Sequence, residues 1–130
     1  MTTTKPKPKD WRNRELSDWL VSTFQQYLRD VHEENYGLPY VTRSHAIEGR
    51  WLKTMISEYG SELTKVFIDE CFREYKPTPQ YPGLSFSFMF TYQRARVLPR
   101  VIAQEARRKQ LAVSNNTNKT QVNEASLEWL

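Results

Sequence analysis

A single cysteine, Cys71, occurs in the 130 residues. No disulfide can therefore close within the chain, and a reducing intracellular setting fits. On an apolar helix face, Cys71 reads as a small buried hydrophobe rather than a nucleophile. Histidine is scarce as well: His32 and His45 are the two. Neither has a second metal-ligand type spaced beside it, so both read as surface or capping residues and no metal is expected. Glycine occurs four times, never in the pattern of a phosphate-cradling loop. No Ser/His/Asp set stands at a plausible spacing. The acids that lie close, Asp69 with Glu70 and Glu33 with Glu34, are adjacent rather than one helical turn apart, so they point in different directions. Carboxylates dispersed in sequence leave metal-nuclease chemistry open, but small size and missing histidine weigh against it. The expectation is a protein that is not an enzyme, with no cofactor and no small-molecule substrate. No apolar run approaches the roughly 20 residues that span a bilayer. The opening Met-Thr-Thr-Thr-Lys-Pro-Lys-Pro-Lys has no apolar signal region, so a cytoplasmic location without membrane contact is expected.

What the chain does have is large side chains. The hydrophobic fraction is 38% and the aromatic fraction 13%, which suits one small core built from few, bulky residues. The fold class expected is all-α: a bundle of about four to five helices with a basic N-terminal arm and a flexible C-terminal tail. The divisions are a Lys/Pro arm over 1–11, a helical domain over 12–112, a flexible linker over 113–123 and a partner-binding tail over 124–130.

Within the domain, Leu16, Trp19, Leu20, Thr23, Phe24, Tyr27, Leu28 and Val31 recur at helical spacing and predict a first helix from about Arg12 to Glu34. Gly37 and Pro39 stop it. A second helix from Ser44 or His45 to Tyr59 shows Ile47, Trp51, Leu52, Met55, Ile56 and Tyr59. Gly60 is its left-handed stop, and a third helix carrying Leu63, Val66, Phe67, Cys71 and Tyr75 follows as a tight hairpin. A DNA-reading helix would need Arg, Asn, Gln or Lys facing the groove. This one offers Asp69 and Glu70 in its middle, so it reads as a packing hairpin. After the proline-rich loop 76–85, aromatics alternate through Phe86-Ser87-Phe88-Met89-Phe90-Thr91-Tyr92. Alternation argues strand, but nothing convincing pairs with it, and Ser85 or Ser87 can cap a helix, which is the favoured reading. The same aromatics beside Arg94 and Arg96 also fit stacking of unpaired bases.

Charge is segregated. Lys5, Lys7, Lys9, Arg12 and Arg14 stand against Asp10 at the start, the body carries more acids than bases, and Arg94, Arg96, Arg100, Arg107, Arg108 and Lys109 stand against Glu105 in a last helix bent or restarted at Pro99. Arg96, Arg100 and Arg107 fall near one helical azimuth. The arm (Lys5, Lys7, Lys9) and these six residues are the candidate nucleic-acid contacts, non-specific and salt-dependent.

Past this helix, Val113-Ser114-Asn115-Asn116-Thr117-Asn118-Lys119-Thr120-Gln121 has little to bury and reads as a leash. At its tip stand Ser126, Leu127, Glu128, Trp129 and Leu130, whose large apolar members suit a pocket on a partner. Ser-Leu-acid-aromatic-Leu resembles the sliding-clamp-binding tail of T-even-type phage proteins, with Glu128 and Trp129 at the acid and aromatic positions. The run Trp51-Leu52-Lys53-Thr54-Met55-Ile56-Ser57-Glu58-Tyr59-Gly60 is similar to helix-Tyr-Gly-helix segments of small phage replication and transcription accessory proteins. The resemblance is to late-transcription coactivators of these phages. It implies a helical body on RNA polymerase, basic segments near upstream DNA, a tail in the hydrophobic pocket of a DNA-loaded sliding clamp, and residence in a host cytoplasm. The alternative is a replication accessory protein that binds single-stranded DNA or loads a helicase through its basic last helix and aromatics.

Overall fold

The computed structural model describes the backbone of residues 5–128 and side chains as far as Val113. The architecture is all-α, with no strand among the described residues. A 3-10 turn, Leu16–Asp18, precedes α1 (Val21–Tyr36), α2 (His45–Glu74), α3 (Phe86–Phe88), a π-helical turn (Met89–Gln93) and α4 (Arg94–Glu128). The last three are joined without a break in helical dihedrals, so the helix count falls slightly below the four to five expected.

The first helix starts later than its periodicity predicts, because two tryptophans pull residues 11–20 into a hook. The Trp19 indole donates to the Arg14 carbonyl at 3.0 Å, and the Trp11 indole donates to Asp30 at 2.7 Å. Arg14 donates in turn to the carbonyls of Asp18 and Pro6, at 2.8 and 2.6 Å. These tertiary bonds outweigh local helix propensity, which is worth only tenths of a kcal/mol per residue. At the other end of α1, Gly37 takes the left-handed conformation (φ 66, ψ 19) and its amide closes on the Glu33 carbonyl at 2.8 Å.

The second and third helices of the sequence reading form a single α2 with a sharp break at Gly60 (φ 85, ψ 164). This conformation is not the left-handed helical stop that was expected but a region open essentially to glycine alone. The Thr64 hydroxyl donates back to the Gly60 carbonyl at 2.7 Å, one turn earlier at the break. The buried face of the first half is Glu48, Leu52 and Met55, whereas Ile47 and Tyr59 are exposed. The expected stripe is therefore turned by one residue.

The aromatic stretch 86–92 is helical, as favoured, with Phe86, Met89 and Gln93 buried and Phe88 and Tyr92 outside. Pro99 does not restart the helix: α4 runs through it. The Ala95 carbonyl that loses its partner sits on the exposed side, where water can satisfy it. The core gathers Phe24 and Leu28 from α1, Leu52, Met55, Phe67, Ile68 and Cys71 from α2, and Phe86, Met89, Val97 and Val101 from the last helices. Each full burial of such a side chain contributes about 1.5–3 kcal/mol. No helix among the described residues is long and apolar enough to cross a membrane.

Candidate functional site

Two polar ties inside the body set what its surface presents. Glu48 is 1% exposed. Its Oε2 accepts from the Ser87 amide at 2.9 Å and the Ser87 hydroxyl at 2.6 Å, and its Oε1 accepts from the Tyr40 hydroxyl at 2.7 Å. The Tyr40 oxygen accepts from the Phe86 amide at 2.8 Å, the Ser85 hydroxyl accepts from the Phe88 amide at 3.2 Å, and the Ser85 carbonyl takes the Met89 amide at 3.1 Å. The first four amides of this helix are all satisfied, and a carboxylate sits at its positive end. Burial first, then the neighbouring Glu48, pushes the Tyr40 phenol well above its ordinary range.

His32, expected at the surface or in a cap, is buried. Its Nε2 faces the Leu84 amide at 3.1 Å and must accept, so Nδ1 carries the hydrogen given to the Leu38 carbonyl at 2.9 Å. The ring thus ties α1 to the loop before α3. His45 is exposed and accepts from Arg29. Cys71 is buried and its thiol is pushed up, by burial foremost. The ties through Glu48 and His32 were missed in the sequence. One signal was present: Glu48 stands one turn before Leu52 on an otherwise apolar face.

The aromatics of the last helices divide between two surfaces. Phe90 lies parallel to Trp51 (4.6 Å, 10°) and carries the Arg94 guanidinium at 3.8 Å, so its ring is held between the two. Phe88 and Tyr92 lie on another side, 5.0 Å apart, with the Tyr75 ring edge-on to Phe88 at 5.8 Å.

The basic candidates are not one stripe. Arg96 pairs with Glu74 at 3.1 Å, Arg100 with Glu70 and Glu74 at 3.5 and 3.6 Å, and Arg108 with Glu62 and Glu105 at 2.8 and 3.0 Å. Much of the charge of α4 is thus matched by the acidic second half of α2. Arg107 and Lys109 are exposed and form no ion pair among the described residues. In the arm, Lys5 lies 3.6 Å from Asp18, while Lys7 and Lys9 are exposed. An open cleft of about 520 Å³ lies between the 3-10 turn, the Gly60 break and α4, with Ile56 and Leu63 on its walls and Glu62, Glu105 and Lys109 at its polar edge.

The α4 bounds take in the expected linker 113–123, but side chains from Ser114 onward lie outside the described residues. The side chains of the candidates Ser126, Leu127 and Glu128, and the whole of Trp129 and Leu130, lie outside them too. No group of three or more His, Cys, Asp or Glu able to hold a metal occurs among the described residues. No family model matches the chain, and no curated protein or solved structure matches it.

Proposed function

We infer that the chain is a non-catalytic adaptor, whose helical body holds one macromolecule while its far segment engages another. The observation that carries this reading is the course of α4. Val101 is its last buried residue among those described, and from Ile102 to Val113 every residue but Glu105 is exposed. Ile102, Leu111 and Val113 are among the exposed apolar side chains. A helix that continues past the core, carrying apolar residues it does not bury, is suited to present a sequence rather than to stabilise the body. Further along that sequence come Leu127, Trp129 and Leu130. In the resemblance to late-transcription coactivators, the far partner is a DNA-loaded sliding clamp and the body partner is RNA polymerase. The protein acts there in a host cytoplasm, with non-specific DNA contact from the basic segments.

The test is co-purification of the full chain, and of a chain truncated after Asn123, with a purified ring-shaped clamp and with RNA polymerase. Loss of the clamp on truncation, with polymerase kept by both chains, is the expected result. Equal clamp retention by both chains, or none by either, overturns the reading.

A further inference from the structure

Phe88 and Tyr92 are exposed, at 40% and 69%. They stand one helical turn apart, with centroids at 5.0 Å. Tyr75, at the end of α2, meets Phe88 edge-on at 5.8 Å and donates its hydroxyl to the Tyr81 carbonyl at 2.6 Å. Tyr81 itself is 64% exposed. Two separate segments thus bring three rings, Tyr75, Phe88 and Tyr92, together. Unlike Phe90, neither Phe88 nor Tyr92 carries a cation over its face among the described residues.

The charge around these rings is one-sided. Between Glu74 and Glu105 the chain has no acidic residue at all, yet it holds Lys76, Arg94, Arg96 and Arg100. The nearest acids on α2, Glu70 and Glu74, are already engaged by Arg73, Arg96 and Arg100. Lys76 forms no ion pair among the described residues, whereas the Arg94 guanidinium is held over Phe90 on the other surface. Exposed rings bordered by cations without acids are complementary to a chain of flat bases strung on phosphates. The hydrophobic centre of a protein interface is instead depleted of charge.

We propose that Tyr75, Phe88 and Tyr92 form a stacking platform for unpaired nucleobases, with Lys76 meeting the phosphates. Every base has a π-face, so the platform accepts any sequence; a duplex, whose faces are already stacked, is excluded. The proposal goes beyond the adaptor reading and concerns a different surface.

The experiment is fluorescence anisotropy of a labelled oligothymidylate of about 16 nucleotides, the upper end of common site sizes, titrated with the full chain at several salt concentrations. A duplex of the same length serves as comparison. The single strand binds more tightly than the duplex. Tyr92→Ala weakens binding about fivefold to a hundredfold, as does Phe88→Ala, and Tyr92→Phe restores it. Lys76→Gln lowers the salt slope by about one. Truncation after Asn123 leaves the affinity unchanged, which separates this outcome from failure of the clamp test. Absence of binding, preference for duplex, or an unchanged affinity in a Tyr92→Ala chain with native helix content overturns the proposal. An oligonucleotide that fails to bind leaves the rings to a protein surface instead.

Discussion

Glu48 Oε2 receives both the amide and the hydroxyl of Ser87, at 2.9 and 2.6 Å, from 39 residues away in the chain. This contact joins α2 to the start of α3. It fixes the helical phase that turns Phe86 and Met89 inward and Phe88 and Tyr92 outward.

Removing it should therefore cost stability first. Glu48→Ala leaves the Tyr40 hydroxyl, the Ser87 hydroxyl and the Ser87 amide short of an acceptor in the interior. Hydrogen bonds to a charged group contribute about 1.5–3 kcal/mol each, and they are not additive here because one side chain receives all three. The expected loss is about 3 kcal/mol, and about half that for Glu48→Gln, which keeps one acceptor oxygen. Urea unfolding followed by circular dichroism reads this as a lower midpoint at unchanged slope. An Ala variant as stable as the parent would show that Glu48 is not the cap.

A second dependence links Gly83 and His32. A β-carbon on Gly83 would lie 2.5 Å from His32 Nε2 and 2.9 Å from Cε1. The ring cannot swing aside without giving up the Leu84 amide and the Leu38 carbonyl. Gly83→Ala should cost about 1–3 kcal/mol through overpacking. In a His32→Ala background the same change should cost almost nothing, since the atoms it meets are gone. A double-mutant cycle by chemical denaturation measures the coupling. Additive effects would mean that the glycine is needed for some other reason.

These two ties also show where sequence reading stops. The helical class and the stop at Gly37 are local properties, legible from spacing and from residue type. The hook around Trp11 and Trp19 is not, because it depends on Asp30, 19 residues further on. His32 looked like a surface residue because its partner Leu84 stands 52 residues away. The basic stripe of α4 was visible as charge, but the acids that neutralise Arg96 and Arg100 lie on another helix. Periodicity reports which face is apolar. It does not report which polar groups find each other across the core.

Alkaline pH should expose the buried phenols. Burial first, then the hydrogen bond to Asp69, raises the Tyr27 phenol well above its ordinary value; burial and then Glu48 raise Tyr40. An unfolded tyrosine ionises near pH ~10. With the folded values higher, this contribution to stability is fully present below that pH and is lost as pH rises above it. The protein should thus lose stability steeply above pH ~10, with part of its phenolate absorbance appearing only as helix content falls. Tyr40→Phe and Tyr27→Phe should each flatten that fall. Full ionisation of all tyrosines while the helices remain intact would contradict the burial of these hydroxyls.

Gly60 offers a prediction whose sign alone decides it. In an ordinary helix interior, Gly→Ala stabilises by about 1 kcal/mol because alanine loses less backbone entropy on folding. Gly60 sits inside α2 but at φ 85, ψ 164, and a β-carbon there would meet no atom within 4 Å. Steric contact is therefore absent, and any penalty comes from the backbone conformation itself, about 1–3 kcal/mol for an L-residue. Gly60→Ala should destabilise by that amount. D-alanine at the same position, introduced by chemical ligation, should be neutral or stabilising, since it favours positive φ and restricts the unfolded chain. Thermal unfolding of the two variants beside the parent distinguishes the cases. If L-alanine raised the midpoint, residue 60 would be helical and α2 would run straight through it, without the break at Gly60.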